Sequence, residues 1–94
     1  MPLATYDSAG IRRVARRIEQ ISLTMQDEVY AQLRGAQEHA GIFQGRTAQA
    51  MDRELTRMLD AEAKLRGEIA LVARQLDQYA NELEALDARL AGEL

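Results

Sequence analysis

From Met51 to Leu90 an apolar residue recurs at alternating steps of four and three. The row is Met51, Leu55, Met58, Leu65, Ile69, Val72, Leu76, Tyr79, Leu83, Leu86 and Leu90, with Glu62 as its polar member. A mean step of about 3.5 residues keeps such a row on one side of an α-helix, whereas a strand alternates with a period of about two. A stripe this long needs a partner helix along most of its length. The search for that partner governs the rest of the reading.

Residues 11–40 supply a second stripe. Ile11, Val14, Ile18, Ile21, Met25, Val29, Leu33, Ala36 and Ala40 are spaced by three and four. Two consecutive steps of four, Met25–Val29–Leu33, shift this stripe as a coiled-coil stutter does. Asp7 or Ser8 is placed to cap the start of the helix with a side-chain oxygen. Breakers are rare. Pro2 is the only proline, and the chain is rich in Ala, Leu, Glu, Arg and Gln, which favour helix. Gly35 lies inside the first helix and weakens it relative to alanine.

The stretch "AGIFQGRTA", residues 40–48, separates the two stripes. Gly41 suits a left-handed helix-ending position, with Ile42 as the apolar residue that follows such a cap. Gly45 permits a tight reversal, and Gln44, Gly45 or Thr47 can cap the next helix. So short a connection makes the helices antiparallel neighbours. Folding there sets Ile11 against Leu76, Ile18 against Ile69, Ile21 against Leu65 or Arg66, Val29 against Met58 and Leu33 against Leu55. Phe43 is expected to plug the closed end. The expected fold class is all-α: a single coiled-coil-like, antiparallel two-helix hairpin over residues 1–94. Helix one covers about 7–40, the turn about 41–46 and helix two about 47–92.

Several functions are disfavoured by composition. Without cysteine there is no disulfide, thiol nucleophile or Cys-containing metal site, and His39 is the sole histidine. Neither catalytic residues nor a metal or cofactor site is expected, and a hairpin of two helices offers no pocket for a pair of catalytic groups. A net charge of −3 disfavours nucleic acid as partner, despite Arg12, Arg13, Arg16 and Arg17. That cluster is read as a solvated face, or as the counterpart of Asp77, Glu82, Glu84, Asp87 and Glu93, which the hairpin returns beside it. Strong salt-dependent DNA binding would reverse that reading. No apolar run is long enough for stable membrane insertion, and "MPLATYDSAG" has no secretory leader pattern. Glu62, inside the seam, calls for partial exposure or an arginine such as Arg66, and can set register or partner choice.

The central turn carries a family resemblance. "LRGAQEHAGIFQG" and "IFQGRTAQAM" resemble the turn region of the WXG family, the early-secreted-antigen-like helical hairpins of bacterial type VII, or ESX, secretion. The resemblance covers nearly the whole chain, with Phe43-x-Gly45 standing where the family has Trp-x-Gly. The actinobacterial export signal Tyr-x-x-x-Asp/Glu is not met, since Leu83 follows four residues after Tyr79. Leu83, Asp87, Leu90 and Leu94 instead match, in order, the C-terminal pattern of family members from other Gram-positive bacteria. The resemblance implies a non-enzymatic substrate or secretion partner, exported without a leader from the cytoplasm. Its partners would be itself or a similar hairpin, the secretion ATPase, or a larger co-secreted protein. The alternative is an intracellular helical adaptor or chaperone for a larger protein.

Oligomerisation is expected on geometric grounds. Helix two is about 45 residues long and helix one about 34, so Leu86 and Leu90 overrun the first helix. Leu3 and Tyr6 can cover only part of that overhang. Leu23 and Tyr30, seven residues apart, suggest a second outer patch. Together with Leu86 they form the expected dimer surface of a four-helix bundle.

Overall fold

A computed structural model describes residues 7–92; Pro2, Leu3, Tyr6, Glu93 and Leu94 lie outside the described residues. Among the described residues every regular element is helical. The first arm consists of α1 (Ser8–Thr24), a π-helical segment (Met25–Tyr30) and α2 (Ala31–Ala40). The second arm is one helix, α3 (Gly45–Gly92). The fold measures 75 × 15 × 14 Å, so its long axis is the length of α3 at about 1.5 Å per residue.

Both ends of the first arm are closed by local chemistry. Asp7 caps α1, its carboxylate accepting the Gly10 N–H at 2.8 Å. At the other end the backbone tightens into three-residue hydrogen bonds. Gly41, Ile42 and Phe43 donate their N–H groups to Glu38, His39 and Ala40 at 3.1, 3.2 and 3.1 Å. Gly41 is right-handed there (φ −62°), which corrects the left-handed cap expected at that position. The left-handed residue is Gly45 at φ 74°, so the chain reverses at the entrance to α3 rather than at the exit from α2.

α3 then returns along the first arm. Ser22 Oγ donates to the Arg66 carbonyl oxygen at 3.2 Å, next to the register expected from the two stripes. Near the turn, Gln37 Nε2 donates to Asp52 Oδ1 and Thr56 Oγ1 at 2.9 and 3.1 Å. At the far end Arg12 donates to Asn81 Oδ1 and Glu84 Oε2 at 2.6 and 2.8 Å.

The seam differs from the expected one by a rotation. Ala15, Ser22, Ala40, Leu59, Glu62, Ala73, Ala80 and Leu83 are the buried residues of the two arms. Ile11, Ile18, Met25 and Leu33, with Leu55, Ile69 and Leu76, are half-buried beside them. Val14, Ile21, Val29, Met58, Leu65, Val72 and Tyr79, all expected inside, are exposed. On each arm one row of the expected stripe is kept, and the other moves one residue along the chain. Small residues suit the preference: Ala15, Ala73 and Ala80 are almost wholly buried, and side chains this small let two helices pack closely.

The π segment resolves the stutter. Ser22 and Met25 face α3, and the next inward residues are Tyr30, Leu33, Gln37 and Ala40. The step from Met25 to Tyr30 is one residue too long for an α-helix. A π turn, which bonds residues five apart, absorbs the excess and brings α2 back into phase.

One consequence concerns length. Deleting Glu28, exposed within the π segment, turns that step into an ordinary α-helical one and leaves Leu33, Gln37 and Ala40 on the seam. Its melting temperature is expected to stay within about 4 °C of the parent's, a shift that roughly 1 kcal/mol produces in a domain this size. Deleting Glu19, equally exposed but in α1, puts the two halves of the arm out of phase and should lower it much further. Circular dichroism melts compare them.

Candidate interaction face

The residues turned out of the seam are not scattered. Val14, Ile21 and Val29 run along the first arm, and Met58, Leu65, Val72 and Tyr79 along α3, each between 42% and 53% exposed. Both rows open on the same side. A groove of about 330 Å³ has Met25, Val29 and Leu33 on one wall and Met58, Ala61 and Leu65 on the other, with Arg57 and Glu62 completing it. A second hollow of about 420 Å³ continues along α1 through Ile21, Met25 and Val29 to Arg17. The result is an apolar strip running along the molecule, with charged residues beside it. Near the open end those include Arg13 and Arg17, which border Val14. On α3, Arg57 is bonded to Glu54, and that bond holds the Glu54 carboxyl below its ordinary range.

Beneath the middle of the strip lies a polar cluster. Glu62 is 6% exposed. The Arg66 Nε lies 3.2 Å from both oxygens of the Glu62 carboxylate, but its hydrogen is directed at Oε1, and Oε2 has no hydrogen bond. The Arg66 guanidinium sits 5.4 Å from the centre of the Tyr30 ring. The expected arginine for Glu62 is therefore present, and the partial exposure is not.

The remaining sequence candidates fall in different places. Leu83 is buried, 8% exposed, so it continues the inward row of α3 rather than a free recognition surface. Asp87 and Leu86 are half-buried and Leu90 is exposed; Leu94 lies outside the described residues. Tyr30 turns inward under Arg66 while Leu23 stays exposed, so the two do not share an outer patch. The π segment between them adds the residue that separates their faces. Leu86 lies far along α3 from both. His39 is exposed at the end of α2, and among the described residues no group of acids and histidines is arranged to hold a metal ion. Among the same residues no helix is long and apolar enough to cross a membrane.

At the open end the arginine cluster meets one of its expected acidic counterparts, Glu84, through Arg12, whereas Asn81 and the tie of Gln37 near the turn were not read from the sequence. Arg12 reaches Asn81 and Glu84, and that bond, assisted by Ser8, holds the Glu84 carboxyl below its ordinary range. Gln37 joins Arg34 to Asp52 and Thr56. Both residues stand next to the apolar positions expected in the seam. A seam displaced by one residue on one flank would have predicted them.

Comparison of the chain with protein-family models, curated proteins and solved structures finds no match.

At the closed end Phe43 covers rather than plugs. It is 45% exposed and borders a hollow of about 310 Å³ with Gln37, Ala40 and Ala48. Half burial halves the benefit: Phe43→Ala is expected to cost about 1–2 kcal/mol, against about 3–5 for a fully buried phenylalanine. Phe43→Trp should melt within about 4 °C of the parent, because the hollow has room for the larger ring. Thermal melts of the two variants check both statements.

Proposed function

We propose that this protein is a non-enzymatic recognition module: a coiled-coil-like helical hairpin that joins a second copy of itself, or a similar hairpin, to form a four-helix bundle. The observation that carries the reading is the apolar strip. Val14, Ile21, Val29, Met58, Leu65, Val72 and Tyr79 form a continuous apolar row that stays half exposed, while Ala15, Ala73 and Ala80 take the buried places beside it. Covering the strip on two copies removes roughly 1,000 Å² from water, about where specific interfaces begin. Left open, it matches the larger apolar patches that monomers carry, which often serve binding.

The biological setting we propose is type VII secretion, with the protein as substrate or secretion partner. Its support is the resemblance of the Phe43-x-Gly45 turn and its flanks to WXG hairpins, and the row Leu83, Asp87, Leu90 and Leu94. Within that row Asp87 and Leu90 are the residues best placed for a secretion ATPase to read, because Leu83 is buried. An intracellular adaptor for a larger protein would use the same strip and would differ in staying monomeric until that partner arrives.

Light scattering at micromolar concentration is expected to give a dimer mass. Val72→Glu should give a monomer of unchanged helicity, its own stability altered by no more than about 0.5 kcal/mol because residue 72 touches no seam. A parent protein that is monomeric at every concentration, melting cooperatively, would replace the dimer with the adaptor. Export is tested separately. In a host with the cognate system, Asp87→Ala should remain in the cells while the parent reaches the medium, and both should show the same helix content.

A further inference from the structure

The chain has two ways to pair its arms, and they share half their contacts. Ile11, Ile18 and Met25, with Leu55, Glu62, Ile69 and Leu76, belong to both. In the observed packing the other row is Ala15 and Ser22 against Arg66, Ala73 and Ala80. In the alternative it is Val14 and Ile21 against Leu65, Val72 and Tyr79, reached by turning each helix about 50°, half the angle between successive residues. Burial of apolar area alone favours the alternative, since valine, isoleucine and leucine remove more area from water than alanine and serine. Glu62 belongs to the row that both packings share, so its carboxylate does not by itself decide between them. The observed packing therefore needs a specific cause.

We infer that Arg66 is the positioning residue that holds the large apolar residues on the outside, and so keeps the interaction face open. Three contacts meet on it. Its Nε is 3.2 Å from both oxygens of the buried Glu62 carboxylate, its guanidinium lies 5.4 Å from the Tyr30 ring centre, and its backbone carbonyl oxygen, which any residue at 66 would supply, accepts from Ser22 Oγ at 3.2 Å. The last two cross from α3 to the first arm, and the turn toward the alternative breaks both. The first makes a carboxylate in the seam tolerable; with the guanidinium gone, the observed packing loses the compensation of a buried charge and the cation–ring contact to Tyr30 together. The π segment takes part, because its extra residue is what brings Tyr30 round to meet Arg66. The inference rests on the pairing reading for its biological consequence, but not for its geometry.

The absence of native cysteine allows a direct test by thiol labelling. Ala73→Cys and Val72→Cys, each placed singly in the parent and in Arg66→Met, are labelled at a concentration low enough for the chain to be monomeric. In the parent the thiol at 73 should react at least about tenfold more slowly than that at 72, as a buried position does. In Arg66→Met the order should reverse, the dimer should be lost, and helicity should persist. Arg66→Lys, which keeps a cation beside Glu62 and Tyr30, should preserve the parent order. An unchanged order in Arg66→Met overturns the inference. Should that variant unfold and expose both thiols, Tyr30→Leu decides, since it removes only the ring. A narrowed difference between 73 and 72 in that variant supports the assignment, and an unchanged one overturns it. A parent that never dimerises yet shows the reversal would sink the pairing reading and leave the role of Arg66 standing.

Discussion

The shape of this molecule depends on how α1 and α3 meet, with the small residues Ala15, Ser22, Ala73 and Ala80 buried where they do. Small side chains at such positions let helices pack closely, while Ile11, Ile18, Ile69 and Leu76 lie half-buried beside them. Val14, Ile21, Leu65 and Val72 are thereby moved to one side, where they form a strip along the two arms. The protein thus leaves a row of large apolar side chains outside its seam while alanines take buried places within it. A chain that folded for its own stability alone would have little reason to do so.

Such an arrangement leaves the isolated pair of arms with a thin core, so other interactions set its alignment. Polar ties occur at three levels: Arg12 with Asn81 and Glu84 at the open end, Ser22 and Tyr30 with Arg66 in the middle, and Gln37 with Asp52 and Thr56 near the turn. The outer ties are largely exposed, and exposed pairs contribute little energy each. Their value is directional. They join residues displaced by one position from the apolar stripes, which is how they select one rotation of the helices over another. The central tie is different because it contains the buried Glu62, whose charge is tolerated only with Arg66 beside it.

The π segment shows how a local irregularity serves this long-range alignment. In a continuous α-helix the stutter at Met25–Val29–Leu33 would gradually turn the first arm away from α3. The π turn spends one residue to restore the phase, so Leu33, Gln37 and Ala40 remain inward below it. The same residue separates Tyr30 from Leu23, which is why those two, seven apart in sequence, occupy different faces.

The helical class, the cap at Asp7, the reversal near Gly45 and the approximate register of the arms were all legible in the sequence. Each follows from local spacing or backbone geometry: period, capping oxygen, glycine freedom and the short connection. The requirement of Glu62 for Arg66 was legible too, because the two stand one helical turn apart. What the tertiary structure alone decided was which side of each helix faces the other. The apolar stripe is wide enough to permit two rotations, and periodicity does not distinguish a residue kept for the seam from one kept for a surface. Close packing of alanines and the contacts of Arg66 make that choice, and both depend on residues more than forty positions away along the chain, as Ser22 is from Arg66. For that reason Phe43, Leu83 and Tyr30 could be picked out from sequence as notable, while their exposure, burial and orientation emerged only when the arms came together.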